Sequence, residues 1–177
     1  MTFRRSFLSV MVLSFAAWAG LPPGRPLPEV PIHAARGKNN IDLKRFRGKA
    51  LIVAVVTADC KECEETTVLL KKIKEDNAAQ FLQVVAVVVQ PDAAGKVAGF
   101  ITKNKPNFEV GYLDELPPYR KLINIDDKAG ARVPVLLFVD PNGMIRVQLF
   151  GDDPLMKKPE PIVRSTVREL LKEPAKK

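Results

Sequence analysis

Two cysteines and a single histidine, His33, are all the soft or imidazole ligands this chain offers. A zinc site of four such ligands cannot be assembled from it. No glycine-rich phosphate loop follows any apolar run, which removes the nucleotide-dependent classes. Aromatic residues are few, and the net charge of +8 is spread along the chain, with small clusters such as Lys71-Lys72 and Lys176-Lys177 that are never interleaved with aromatics. That pattern excludes a focused nucleic-acid surface and describes a solvated basic one. No cofactor is expected, and any reaction must run on the chain's own side chains.

Hydrophobic residues make up 46% of the 177 positions, enough for one domain with a sizeable core. The first 19 residues are set apart. Arg4 and Arg5 precede an apolar run from Phe7 to Ala19, and Ala17-Trp18-Ala19 places small residues where a signal peptidase reads. The run is shorter than the roughly 20 residues a bilayer span needs. A cleaved signal peptide over 1–19 is therefore expected, through ordinary secretion or the twin-arginine route that Arg4-Arg5-Ser6-Phe7-Leu8 resembles. An export signal implies a periplasmic or otherwise exported protein, with membrane contact only if it stays uncleaved. Five prolines between Gly20 and Pro31 predict an extended leader or tether over 20–31, because proline fixes φ and cannot donate to a ladder. His33 falls just beyond, in a polar loop, and is read as solvated. A domain over 32–172 follows, and the tail 173–177 is expected to be loose.

The segment Leu51 to Cys63 organises the rest. Leu51 to Val56 has no polar alternation, which predicts a strand buried on both faces, as in the middle of a parallel sheet. Helical signals begin immediately afterwards, so Cys60 and Cys63 fall where a central strand gives way to a helix, the place where open α/β sheets present their chemistry. Unpaired N–H groups and the dipole at a helix N-terminus stabilise a thiolate. Cys60 is thus the candidate redox nucleophile, and Cys63, one turn further in, the residue that resolves a mixed disulfide.

Asn40 to Gly48 reads as a strand and turn with Ile41, Leu43 and Phe46 as its apolar contacts. The first helix is expected to run to about Glu75, and Val84 to Val89 to form a second buried parallel strand. A second helix starts at Pro91-Asp92, turns Val97, Phe100 and Ile101 inward and stops before Pro106. Glu109 to Leu113 suits a short strand and Pro118 to Ile125 a short helix. Val135 to Val139 and Ile145 to Phe150 flank the turn Asp140-Pro141-Asn142-Gly143, and the alternation in the second run predicts an antiparallel edge strand. Pro159 to Lys172 reads as a final helix.

This order of elements resembles a known superfamily. Asp42 to Lys49, the strand to Val56, Cys60-Lys61-Glu62-Cys63, Val133-Pro134 and Val139 to Gly143 are similar to the thioredoxin superfamily, closest to its exported TlpA- and ResA-type thiol-disulfide oxidoreductases, a branch related to the peroxiredoxin-like domains. The resemblance spans about Pro28 to Leu171. It implies a thioredoxin-like α/β fold, a central mixed sheet flanked by helices, with an N-terminal extension and a strand-helix insertion between Val89 and Val133. It also implies that Pro134 is a cis-proline packed against the cysteine pair, that Val133 offers its backbone to a substrate strand, and that the partners are protein thiols or disulfides and a thiol reductant protein.

Departures from the family pattern surround the cysteines. Asp59 stands where the family has tryptophan and Glu62 where it has proline. The family's buried acid falls at Ala54, and the exported branch's glutamate at Thr66. Asp59, Glu62, Glu64 and Glu65 disfavour a thiolate, and Lys61 offsets part of this, so a reducing pair is expected. Three other readings remain open from sequence. They are a non-catalytic binding module with a structural disulfide, a peroxidase suggested by Thr57-Ala58-Asp59-Cys60, and a copper or zinc protein using both thiolates.

Overall fold

The computed structural model describes residues 21–22, 24–37, 39–77, 81–126 and 132–175. The expected signal peptide over 1–19 lies outside these residues, as does the end of the tail. Among the described residues eight strands form one sheet. They are β1 (Arg25–Pro26), β2 (Ile32–Ala34), β3 (Asn40–Ile41), β4 (Ala50–Val56), β5 (Leu82–Val89), β6 (Glu109–Leu113), β7 (Val135–Val139) and β8 (Met144–Leu149). Their order across the sheet is β1-β8-β7-β4-β5-β6-β2-β3. Among the described residues four α-helices accompany them, α1 (Lys61–Asp76), α2 (Ala93–Asn104), α3 (Leu116–Ile123) and α4 (Pro159–Leu170), with 3-10 turns at Leu43–Phe46 and Pro154–Lys157.

β4 sits in the middle because every one of its seven residues is apolar and buried. It runs parallel to β5 and antiparallel to β7, so the sheet is mixed. Parallel neighbours require crossovers, and α1 and α2 supply them between β4 and β5 and between β5 and β6. Successive side chains then serve two cores. Ile52, Ala54 and Val56, with Val84, Ala86, Val88, Leu136 and Phe138, meet Leu70 and Ile73 of α1, Val97 and Phe100 of α2, and Val163, Val167 and Leu170 of α4. Leu51, Val53 and Val55 point the other way, with Val85, Val87, Val135 and Leu137, toward Leu43 and Phe46 of the 3-10 turn and Leu122 and Ile123 of α3. Among the described residues no helix is long and apolar enough to cross a membrane.

Four expectations need correction. The proline-rich segment is a docked part of the sheet rather than a free tether: Arg25 and Pro26 pair with Ile145 and Met144. Arg25 donates to Leu122 O at 3.0 Å and to Gln148 Oε1 at 2.7 Å, so side-chain bonds hold a segment whose prolines cannot build a long ladder. β8 consequently lies inside the sheet, with β1 on its outer side. His33 lies on β2 rather than in a loop, paired with Tyr112 in register, with its ring 5.2 Å from the tyrosine ring and Nδ1 3.1 Å from Asn40 Oδ1, and it is exposed, as its solvated reading expects. The start of the tail is also tied down, by Glu173 against Arg146 at 3.3 Å and Asn142 Nδ2 donating to Pro174 O at 3.2 Å.

Asp140 holds the β7–β8 turn from within. Its carboxylate is 3% exposed and accepts from Asn142 N, Met144 N and the Arg146 guanidinium. Arg146 in turn donates to the backbone oxygens of Leu21 and Pro22, joining the N-terminal segment to the turn. Removing the carboxylate leaves a mostly buried guanidinium with only Glu173, among the described residues, as counter-charge. Asp140→Ala should lower the unfolding free energy by about 2–4 kcal/mol in urea titrations with an unchanged denaturant slope.

Candidate functional site

After β4 the chain leaves the sheet through Thr57, Ala58 and Asp59 and re-enters regular structure at Cys60, the N-cap of α1. Cys60 and Cys63 form a disulfide with Cα atoms 5.2 Å apart. The Cys60 sulfur accepts the backbone N–H of Cys63 at 3.1 Å. Sulfur thus occupies the position where a serine or aspartate oxygen would cap an ordinary helix. Glu64 N donates to Cys60 O at 3.1 Å, which completes the first turn. Cys60 is partly exposed, whereas Cys63 is fully buried in the core beneath α1. In the reduced protein the same capping N–H and the helix dipole would face a Cys60 thiolate.

The charged residues singled out from sequence collect at this helix start. Asp59, Lys61 and Glu62 are exposed. Glu62 Oε2 lies 3.7 Å from the Cys60 sulfur and has no ion pair among the described residues. Lys61 lies 3.9 Å from Glu65, one turn along the helix. Ala54 and Thr66, the positions of the two missing family acids, are both buried, and neither side chain can take up or release a proton near neutral pH. Asp140 is the one buried carboxylate among the described residues, and it sits at the opposite end of β7 from Pro134.

Val133 and Pro134 arrive from the other side. Val55 pairs with Val135 in the antiparallel β4–β7 ladder, so the start of β7 adjoins the end of β4 from which the cysteine loop departs. The Val133–Pro134 peptide bond is cis, Pro134 is buried and Val133 partly so. Two neighbours of the site have no signal in composition or motif. Gln90, at the end of β5, accepts the Ala58 N–H on Oε1 at 2.7 Å and so fixes the loop ahead of Cys60. Gly151 donates its N–H to Arg132 O at 2.8 Å. A side-chain carbon on Gly151 would lie 2.5 Å from Val133 O and 3.0 Å from Arg132 O.

These atoms define a thioredoxin-like fold carrying a disulfide of Cys-X-X-Cys spacing at a helix N-terminus. The chain belongs to the Redoxin family, whose model matches residues 22–160. A search of curated protein sequences found no match. Among solved structures, it is similar to a provisionally assigned thiol:disulfide interchange protein DsbE from Chlorobium tepidum, with a TM-score of 0.71 and 18% identity over 86% of this chain and 99% of that one. It is also similar to the thioredoxin domain of a thiol-disulfide oxidoreductase from Bacteroides vulgatus, with a TM-score of 0.64 and 22% identity over 84% and 99%. A third similar structure is BsSco, of the Sco family of cytochrome c oxidase assembly proteins, with a TM-score of 0.65 and 16% identity over 86% and 98%.

The close approach at Gly151 yields a paired prediction. Gly151→Ala forces the Val133 carbonyl to move and should cost about 1–3 kcal/mol of stability. Gly99→Ala, in α2 with nothing within 4 Å of the added carbon, should be neutral or stabilising by up to about 1 kcal/mol in the same urea titration.

Proposed function

We propose that the protein is an exported thiol-disulfide oxidoreductase that works on the reducing side, with Cys60 as nucleophile and Cys63 as resolving cysteine. The observation that carries the proposal is the asymmetry of the pair: one cysteine partly exposed, with its sulfur capping a helix, the other wholly buried one turn below it. A fixed staple has no need of that division, whereas a two-step exchange does. The Cys60 thiolate attacks a partner disulfide, forms a mixed disulfide and releases one partner thiolate. The Cys63 thiolate then attacks the Cys60 sulfur, breaks the mixed bond, releases the second partner sulfur and leaves the Cys60–Cys63 disulfide. Two electrons from a thiol reductant protein restore the dithiol.

Val133 and Pro134 would guide the partner. Their place beside the end of β4 supports contact with an extended substrate segment, the Val133 backbone bonding to it in the manner of an added strand. Direction follows from charge. Glu62 beside the Cys60 sulfur, with Asp59, Glu64 and Glu65 in the same segment, disfavours the thiolate and so favours the disulfide product. A pair that prefers to be oxidised gives its electrons readily. Export rests on the basic and apolar pattern of residues 1–19 and suits a compartment where disulfides persist.

An insulin-reduction assay with dithiothreitol, on the chain from Gly20 onward, tests the assignment. The parent protein should accelerate precipitation, Cys60→Ser should fall to the uncatalysed rate, and Cys63→Ser should accumulate a mixed disulfide visible by mass. Undiminished turnover by Cys60→Ser would remove the basis of the proposal. Replacing Glu62 by Gln should lower the pKa of the reduced Cys60 thiol, read from thiolate absorbance during a pH titration; an unchanged or raised value would contradict the role given to this carboxylate.

A further inference from the structure

The acids around the disulfide do not act alone, because α2 places two lysines against them. Lys96 Nζ lies 3.5 Å from Asp59 Oδ2, and Lys103 pairs with Glu64. Asp59 immediately precedes Cys60, and Glu64 immediately follows Cys63. Both lysines belong to a different crossover from the cysteines, so the pairing depends on how α2 docks. Ala93, Val97 and Phe100 bury one side of that helix in the core shared with Cys63, and Gln90, three residues before the helix, binds the loop at Ala58. Lys96 and Lys103 lie seven residues apart, about two turns, and therefore on one face of α2. Among the described residues Glu65 is met only by Lys61 of its own helix, at 3.9 Å and between two largely exposed side chains. Glu62 is left without a cation among the described residues.

We propose that Lys96 and Lys103 are positioning residues that set the reduction potential of the Cys60–Cys63 couple by cancelling the fields of Asp59 and Glu64. This rests on reading the pair as a redox couple. Reduction adds two electrons and breaks the S–S bond. Below the Cys60 thiol pKa it also takes up two protons and gives two neutral thiols. Above that pKa it takes up one proton, and the Cys60 sulfur remains a thiolate. The lysines stabilise only the thiolate. Removing them therefore disfavours the reduced form above the pKa and changes little below it. A lysine that merely braced the loop would show no such pH dependence.

The strength of the effect is bounded by exposure. Lys96 and Lys103 are about half exposed, at 49% and 61%, so water and salt screen them. Exposed pairs of this kind are worth at most about 1 kcal/mol, and the coupling of either lysine to the Cys60 thiolate, beyond its paired acid, is bounded by that value, which corresponds to at most about a 5-fold change in the dithiol–disulfide equilibrium per lysine. A fivefold change corresponds to about 20 mV for this two-electron couple.

The test equilibrates the parent protein, Lys96→Met, Lys103→Met, the double variant and the two arginine replacements in dithiothreitol redox buffers at low ionic strength. Oxidised fractions are read by alkylation and mass, one pH unit above and one below the Cys60 thiol pKa. Each methionine variant should shift measurably toward the disulfide, by up to about 5-fold, above the pKa, the double variant by more, and none by a measurable amount below it. Arginine should restore the parent value, and about 0.5 M salt should shrink the shifts. Equal shifts at both pH values would assign the lysines a structural role and overturn the proposal. So would no shift above the pKa, or a shift toward the dithiol. If the parent disulfide fails to exchange with dithiothreitol, the oxidoreductase reading itself fails, an outcome distinct from exchange that ignores the lysines.

Discussion

A sulfur atom in the place of a helix cap is the constraint on which the site depends. Cys60 can accept the Cys63 N–H only because β4 ends where it does and the chain turns into α1 within four residues. β4 ends there because an all-apolar strand is fixed on both faces by two cores, and on both edges by β5 and β7. A register slip by one residue would exchange the two faces and move the cysteines with them. The burial of Cys63 and the partial exposure of Cys60 are therefore consequences of how the middle of the sheet is packed.

The surroundings balance two opposing electrostatic influences. The helix N-terminus favours a negative sulfur, whereas the acids of residues 59–65 oppose it. The lysines of α2 cancel part of that opposition from a separate element, leaving Glu62 as the nearest uncompensated charge. With Ala54 and Thr66 in place of acids, no buried carboxylate lies beside Cys63 among the described residues. Proton transfer at this pair thus depends on exposed groups and water, in keeping with a couple tuned by surface charge.

Local pattern made much of this legible. β4 and β7 could be read closely because buried strands are uninterrupted apolar runs, and the cysteine pair could be placed because a strand ended just before it. Pro134 was singled out by resemblance to a superfamily, not by any physical signal in Val133-Pro134 itself. The pairing of β1 was hidden because prolines in Gly20 to Pro31 read as a break, and Arg25 reaches Leu122 and Gln148 across about a hundred residues. Gln90, Lys96 and Lys103 were illegible for a similar reason. Each is an ordinary polar residue whose partner lies on another crossover, so no spacing along the chain reports the contact.

The reduction potential of the Cys60–Cys63 couple separates the competing accounts most directly. A reducing but exchangeable pair should lie between about −300 and −200 mV, the range of thioredoxins and glutaredoxins. A value below about −300 mV would describe a structural disulfide, and one near −120 mV a strong oxidant. Either would contradict the account.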